Sequence, residues 1–460
     1  MHSRANSTAG RDVAYVLHPY TNLKRHEAVG PLVITHGKGV RVFDDNGKDY
    51  IEGMAGLWCT ALGWGEERLA EVAARQMREL PFYHTFNHKS HEAAVELAER
   101  LVTMAPVPMS KAFFANSGSE ANDSAIKLIW YYNNAIGRPL KKKIISRHKA
   151  YHGVTVATAS LTVLPNNQRS FDLPIAGILH TSCPHHYRFG AEGESEEAFS
   201  SRCAEDLERL ILAEGPDTVA AFFAEPVMGA GGVIVPPAGY FEKIQAVLRK
   251  YDVLLVADEV ICGFGRTGNM WGSETFGMRP DMMTMAKGLS SGYLPISALL
   301  ISEPIYAAVA AESDAIGVFG HGFTYSGHPV PAAVALEVLN IYDERDVLGH
   351  VRGVAPYFQR RLRRFAAHPM VGEVRGVGLI AAVELVRDKA SRESFDPKAA
   401  VGPSLVARAQ ENGLILRAMG DSIAFSPPLV LDERDIDEIA DRFGRALDET
   451  HGWARASGLM

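Results

Sequence analysis

"VLLVADEV", residues 253–260, is the stretch that decides the fold. Five apolar residues, Val253 to Ala257, run unbroken into an acid, Asp258. A strand with one wet face alternates apolar and polar residues. A strand covered on both faces does not, and such strands belong to parallel sheets. Comparable runs stand at "KKIISRH" (142–148), "VAAFFAEPV" (219–227) and "ISALLIS" (296–302). Helix-like segments lie among them, such as "RCAEDLERLILAEG" (202–215) and "YFEKIQAVLRKY" (240–251). Apolar strands alternating with helices mean an α/β fold, a mostly parallel central sheet flanked by helices.

"KAFFANSGSEANDSAIKLIWYYNNAIG" (111–137) reads as a strand, a Gly/Ser turn and a helix that stops near Gly137 and Pro139. Before it, "GEERLAEVAARQMREL" (65–80) and "SHEAAVELAERLVTMA" (90–105) are amphipathic helices. "RVFDDNGKDYIE" (41–52) is a hairpin with Asn46-Gly47 at its turn. From about Pro329 the pattern changes. Two long helices (329–345 and 348–368) precede strand-like "VGLIAAVELV" (377–386) and "GLILRAMGDSIAFSPPL" (413–429), then a terminal helix opening at "LDERDIDEIADRF" (431–443). The expected division is a large α/β domain over 60–329 and a smaller α+β domain formed by 1–59 and 330–460.

Bulk properties exclude several classes. The chain has 460 residues, 47% hydrophobic and 22% charged, with a net charge of -7. A nucleic-acid surface wants a basic stripe, so that partner is not expected. The four cysteines (Cys59, Cys183, Cys203, Cys262) form no C-x-x-C pair. That argues against a disulfide framework or a zinc site, and it suits a reducing cytoplasm. The first twelve residues contain no apolar leader region, and no run reaches the ~18 apolar residues of a membrane span.

Three lookalikes fail on context. "GFGRTG" (263–268) fits G-x-G-x-x-G, but the following "NMWGSETFGMRP" cannot open the helix a dinucleotide site requires. "LLVADEV" resembles the acidic strand of an NTPase, yet no G-x-x-x-x-G-K-[ST] exists in the chain. His185-His186 and "HKAYH" (148–152) lack a carboxylate or cysteine at ligand spacing, and no metal site is expected.

What survives is a constellation. Asp258 ends an apolar strand, and open α/β sheets bind ligands at the carboxyl ends of their strands. Lys287, in "MAKGLSSG" (285–292), has no acid within five residues on either side. A lysine that must react with a carbonyl wants such a setting, because desolvation disfavours the ammonium and frees the amine. Ser117 and Glu120 fit a capping box, and the same helix start, Ser117-Gly118-Ser119, offers free N–H groups to an anion. A reactive lysine, an acid and a phosphate cup together suit pyridoxal phosphate, whose pyridine nitrogen wants an acidic partner. A charge pair ~4 Å apart at an effective dielectric of ~20 is worth ~4 kcal/mol, enough to keep that nitrogen protonated at neutral pH.

With these motifs the chain resembles the class-III pyridoxal-phosphate-dependent aminotransferases of fold type I, and most of all their omega-transaminase (amine:pyruvate) branch. The resemblance rests on "FFANSGSEAND", "KAYHG", "AEPVMGAGG", "LLVADEVICGFGRTG", "MAKGLSSG" and "HGFTYSGHP" taken together. It implies that Lys287 forms the Schiff base and shuttles a proton, that Asp258 pairs with the pyridinium, and that Glu225 helps orient the ring. It implies further that Val260 and Tyr151 cover the two ring faces, and that Ser117, Gly118 and Ser119 bind the phosphate. Thr324 is expected to reach the phosphate of a partner subunit in a homodimer whose active site lies at the interface. Trp58 and Phe86 match positions lining the substrate pocket, and Arg417 matches a mobile arginine for a substrate carboxylate. The implied activity is ping-pong transfer of an amino group from an amine or ω-amino acid to a keto acid such as pyruvate. Aminomutases, racemases and decarboxylases of the same fold use the same lysine and aspartate and remain the alternative.

Overall fold

The computed structural model describes residues 6–460. Residues 1–5, the start of the segment read above as free of an apolar leader, lie outside them. A seven-stranded sheet forms the centre, in the order Lys111–Ala115, Ser297–Ile301, Met282–Met285, Leu254–Asp258, Val219–Ala224, Lys143–Arg147, Ile178–Thr181. Its core consists of parallel pairs, Val256↔Met282 and Phe223↔Val256 among them. "ISALLIS" departs from the parallel expectation: Ser297–Ile301 runs antiparallel to both its neighbours. An apolar run reports burial on both faces and carries no information about direction.

Period-2 alternation explains why the sheet is covered twice. Phe223, Val256 and Met282 pack on one face with Ala125, Ile126 and Ile129 of the helix Gly118–Ala135. Phe222, Leu255 and Met283 pack on the other with Leu207 of Glu196–Glu214 and Ile244 of Tyr240–Lys250. Every side chain of Val219–Ala224 is buried. Each large apolar group so removed from water contributes about 1.5–3 kcal/mol.

The N-terminal hairpin pairs Arg41–Asp44 with Asp49–Glu52. Its turn is wider than a two-residue Asn-Gly turn. Asp44 N–H reaches Lys48 O at 3.0 Å, and Gly47 takes the left-handed φ of 81°. Asp44 Oδ1 accepts from both Asn46 N and Lys48 N at 2.9 Å. Leu414–Ile415 adds to this hairpin in parallel, Leu414 opposite Ile51, so the first residues and the last third share a sheet. A further sheet orders Val371–Val377, Ile380–Leu385, Ser422–Phe425 and Arg417–Met419, with Arg417 on its edge. All four cysteines are free thiols. No helix among the described residues is long and apolar enough to cross a membrane.

Candidate active site

The same alternation aims three polar side chains at one place. Glu225, Asp258 and Thr284 share parity with Phe223, Val256 and Met282, and so project toward the helix Gly118–Ala135. Leu254–Asp258 and Met282–Met285 are adjacent and parallel, and Lys287 follows the second by two residues. Their carboxyl ends open on a cavity of about 400 Å³. Ser117, Gly118, Ser119, Tyr151, Glu225, Asp258, Val260 and Lys287 all line it.

Asp258 is held from behind. Its Oδ2 accepts from Asn122 Nδ2 at 2.8 Å and from His152 Nδ1 at 2.8 Å. A carboxylate only accepts, so Nδ1 of His152 carries the proton. Oδ1 accepts from Val260 N at 3.1 Å and keeps lone-pair capacity toward the cavity. Thr284 Oγ1 donates to Asn122 Oδ1 at 2.8 Å, which settles the amide's orientation. Asn122 and His152 are residues that sequence reasoning passed over. His152 lies in "HKAYH", which has no metal-ligand spacing, and only its place directly after Tyr151 marks it.

Glu225 is fully enclosed. Its Oε1 accepts from Tyr151 N at 3.0 Å and Oε2 from Gly229 N at 2.9 Å. Burial raises its carboxyl above the usual range and the charge of Asp258 adds to this, against the lowering pull of His152 and Arg147. Arg147, itself buried, donates Nη2–H to Glu225 O at 2.6 Å and lies over the rings of both Tyr240 and Phe241. Burial also raises the Tyr151 phenol, with the neighbouring Tyr20 hydroxyl 3.5 Å away.

At the opposite end, Ser117 caps the helix by accepting from Glu120 N at 3.2 Å. The capping box is displaced by one residue: Glu120 Oε2 reaches back to Asn116 N at 2.7 Å rather than to Ser117 N. Neither Gly118 N–H nor Ser119 N–H has a partner among the described residues. A Cβ on Gly118 would stand 3.0 Å from Val260, and one on Gly153 would stand 2.6 Å from Ser119 Oγ. Both glycines keep that wall close-packed. Lys287 adopts φ 46°, a left-handed conformation unusual for a side-chain-bearing residue. Its Nζ has no hydrogen-bond or ion-pair partner among the described residues.

These features fit pyridoxal phosphate group by group. One free amine suits the aldehyde, one backed carboxylate suits the pyridine nitrogen, and two unpaired N–H groups at a helix start suit the phosphate. The remaining expected residues lie elsewhere. Trp58 is buried beside Met54 and Ile261. Phe86 lines a second hollow of about 1000 Å³ together with His321 and Gly322. Thr324 is exposed in the turn after Gly322. Arg417 is half-buried on its edge strand, and its charge acts on the Tyr151 phenol.

Known proteins place the chain. The family model described as aminotransferase class-III matches residues 23–447. A mitochondrial gamma aminobutyrate transaminase 1 of Solanum lycopersicum is 51% identical over 436 residues, covering 95% of this chain and 85% of the relative. A chloroplastic gamma aminobutyrate transaminase 3 of the same plant is 50% identical, covering 95% and 84%. The omega transaminase of Pseudomonas jessenii in complex with PMP superposes with a TM-score of 0.96 at 57% identity, covering 97% of this chain and 99% of that one. The cytoplasmic location expected from the cysteines is corrected by these relatives, which are named for organelles. Unpaired thiols report a reducing environment, and that is not the property of one compartment. With its family model matched from residue 23 to 447 and half of the aligned residues shared with these relatives, the chain belongs to the class-III aminotransferases, pyridoxal-phosphate enzymes of fold type I that move an amino group between an amine or amino-acid donor and a keto-acid acceptor.

Proposed function

We propose that the donor is a primary amine or an ω-amino acid and that the acceptor is pyruvate or a keto acid like it, the two reacting in turn at one site. The observation that carries this reading is Arg417. It is half-buried near Tyr151 and has no ion-pair or hydrogen-bond partner among the described residues. A guanidinium pairs with a carboxylate in bidentate fashion, which suits a keto acid. Set on an edge strand, it can withdraw when a donor brings no carboxylate, so that an apolar group does not face a desolvated charge. The tomato relatives are named for γ-aminobutyrate, a donor whose amine is remote from its carboxylate.

The roles of the lining residues follow. When bound, the cofactor supplies a carbonyl that takes up nitrogen and a ring that withdraws electrons. Lys287 Nζ would hold that carbonyl and would take and return the proton at the substrate Cα. Asp258 would pair with the pyridine nitrogen and favour its protonated form, and Asn122 and His152 keep Asp258 in place. Glu225 orients the ring. Ser117, Gly118 and Ser119 would hold the phosphate and Val260 and Tyr151 the ring faces, while Trp58 and Phe86, outside the cavity of the single chain, would bound the donor where a partner subunit extends the site.

The active form is a homodimer in which Thr324 of the partner subunit completes the phosphate cup. Exposed aromatic side chains about the larger hollow, Phe82, Phe86 and Tyr325, support this, since a monomer rarely leaves such a cluster in water. Residues 60–329 form the cofactor-binding unit, and 1–59 with 330–460 the smaller one.

A half-reaction tests the reading. γ-Aminobutyrate and simple amines are added to the yellow holoenzyme without any keto acid. Bleaching, followed by recovery and release of alanine on adding pyruvate, is the expected result. Bleaching only by α-amino acids would overturn the proposed donor class.

A further inference from the structure

We propose that Asp12, His18 and His26 form a binding site for one divalent transition-metal ion of the zinc class. The three residues come from the helix Thr8–Tyr15, the link after it and the helix Leu23–Val29. His18 Nε2 stands 2.8 Å from Asp12 Oδ1, and His26 Nε2 stands 3.0 Å from the same oxygen. The two imidazole rings lie 4.1 Å apart, tilted by 38°. All three donor atoms fall within 4.8 Å of one another. Zinc bonds of ~2.0–2.2 Å in tetrahedral geometry space the ligands ~3.4 Å apart, so the carboxylate need open only by about half an ångström.

The chemistry favours a cation at the centre. Neither Nδ1 is engaged among the described residues, so nothing pins the Nε2 proton in place, and both rings can turn a lone pair inward. No lysine or arginine pairs with Asp12 among the described residues; its only partners are the two histidines. The side chains are 20%, 25% and 10% exposed for Asp12, His18 and His26, which leaves room for water as a fourth ligand. A second cluster, His185 with Glu373 and Glu384, makes the contrast. There Arg375 bonds Glu373 at 2.6 Å and Glu384 at 2.7 Å and already supplies the positive charge. The N-terminal cluster has no such cation among the described residues.

The site would act as a staple. Between His18 and His26 lies Tyr20, held at φ 52°, with its hydroxyl accepting from Asn167 Nδ2 at 2.6 Å and lying 3.5 Å from that of Tyr151. A metal joining both flanking helices would fix this strap beside the cofactor cavity and raise the stability of the folded chain.

The test uses chelator-treated holoenzyme titrated with Zn²⁺ by calorimetry and with Co²⁺ by visible absorption, with melting followed in parallel. One equivalent should bind and raise Tm. Binding should weaken at least about tenfold in the double variant His18→Gln/His26→Gln and in Asp12→Asn, while Glu373→Gln should bind as the parent does. Circular dichroism establishes that each variant is folded, and the single Asp12→Asn change serves if the double variant is not. Absence of saturable binding, or equal binding by the folded Asp12→Asn or double variant, would overturn the proposal.

Discussion

His152 donates its Nδ1–H to Asp258 Oδ2 over 2.8 Å, with both side chains almost wholly removed from solvent. Hydrogen bonds to a charged group contribute about 1.5–3 kcal/mol, and here the acceptor is the carboxylate proposed to hold the cofactor's pyridine nitrogen. Replacing His152 with Phe should lower kcat/KM by about tenfold to a hundredfold and weaken cofactor retention, measured by steady-state kinetics and by dialysis of the holoenzyme. Unchanged kinetics would show that Asn122 and Val260 alone hold Asp258.

Lys287→Ala removes the one lysine that lines the cavity among the described residues. Its Nζ makes no hydrogen bond or ion pair among the described residues, so Tm should stay near that of the parent. Turnover should fall by at least 10²- to 10⁴-fold, roughly the share of proton transfer alone. The yellow colour of the holoenzyme should vanish with it. Undiminished activity would refute the assigned role.

Arg417→Ala should separate the two half-reactions. The KM for pyruvate should rise by about tenfold to a hundredfold as a charged hydrogen-bonded pair is lost. The half-reaction with an amine lacking any carboxylate should proceed as in the parent. Equal damage to both would mean that Arg417 serves the fold rather than the substrate.

Glu52 sets a pH dependence of stability. Burial pushes its carboxyl from 4.5 up to about 8 in the folded chain. Between those values the folded state holds a proton that the unfolded state releases. The contribution is therefore fully present below 4.5 and is lost as the pH rises through about 8. Glu52→Gln stays neutral throughout. Its Tm should fall less than the parent's between about pH 5 and pH 9, as read by scanning calorimetry at several pH values. Parallel curves for the two proteins would count against a protonated Glu52.

Much of the site was legible because its signals are local. Apolar runs marked the strands, Asp258 stood at the end of one of them, and Lys287 stood alone in an apolar stretch. Ser117 and Glu120 marked a helix start by their spacing, although Glu120 turned back one residue further than the pattern implies. Other features left no such trace. Burial patterns do not encode direction, so the antiparallel Ser297–Ile301 looked like the parallel strands Val219–Ala224 and Leu254–Asp258. Thiol chemistry does not name a compartment, so the cysteines misled on location.

The sequence alone was enough to mark most strands and helices and the residues that line the cavity, because period, capping and isolation of charge act within a few residues along the chain. Only the tertiary structure decided who supports whom. Asn122 and Asp258 are 136 positions apart, and His152 and Asp258 are 106 apart. Leu414 reaches Ile51 across the length of the chain, and Asp12 meets His18 and His26 only because a loop closes. Those contacts depend on how whole faces pack and on which chain ends the packing brings together, and no short-range pattern records that.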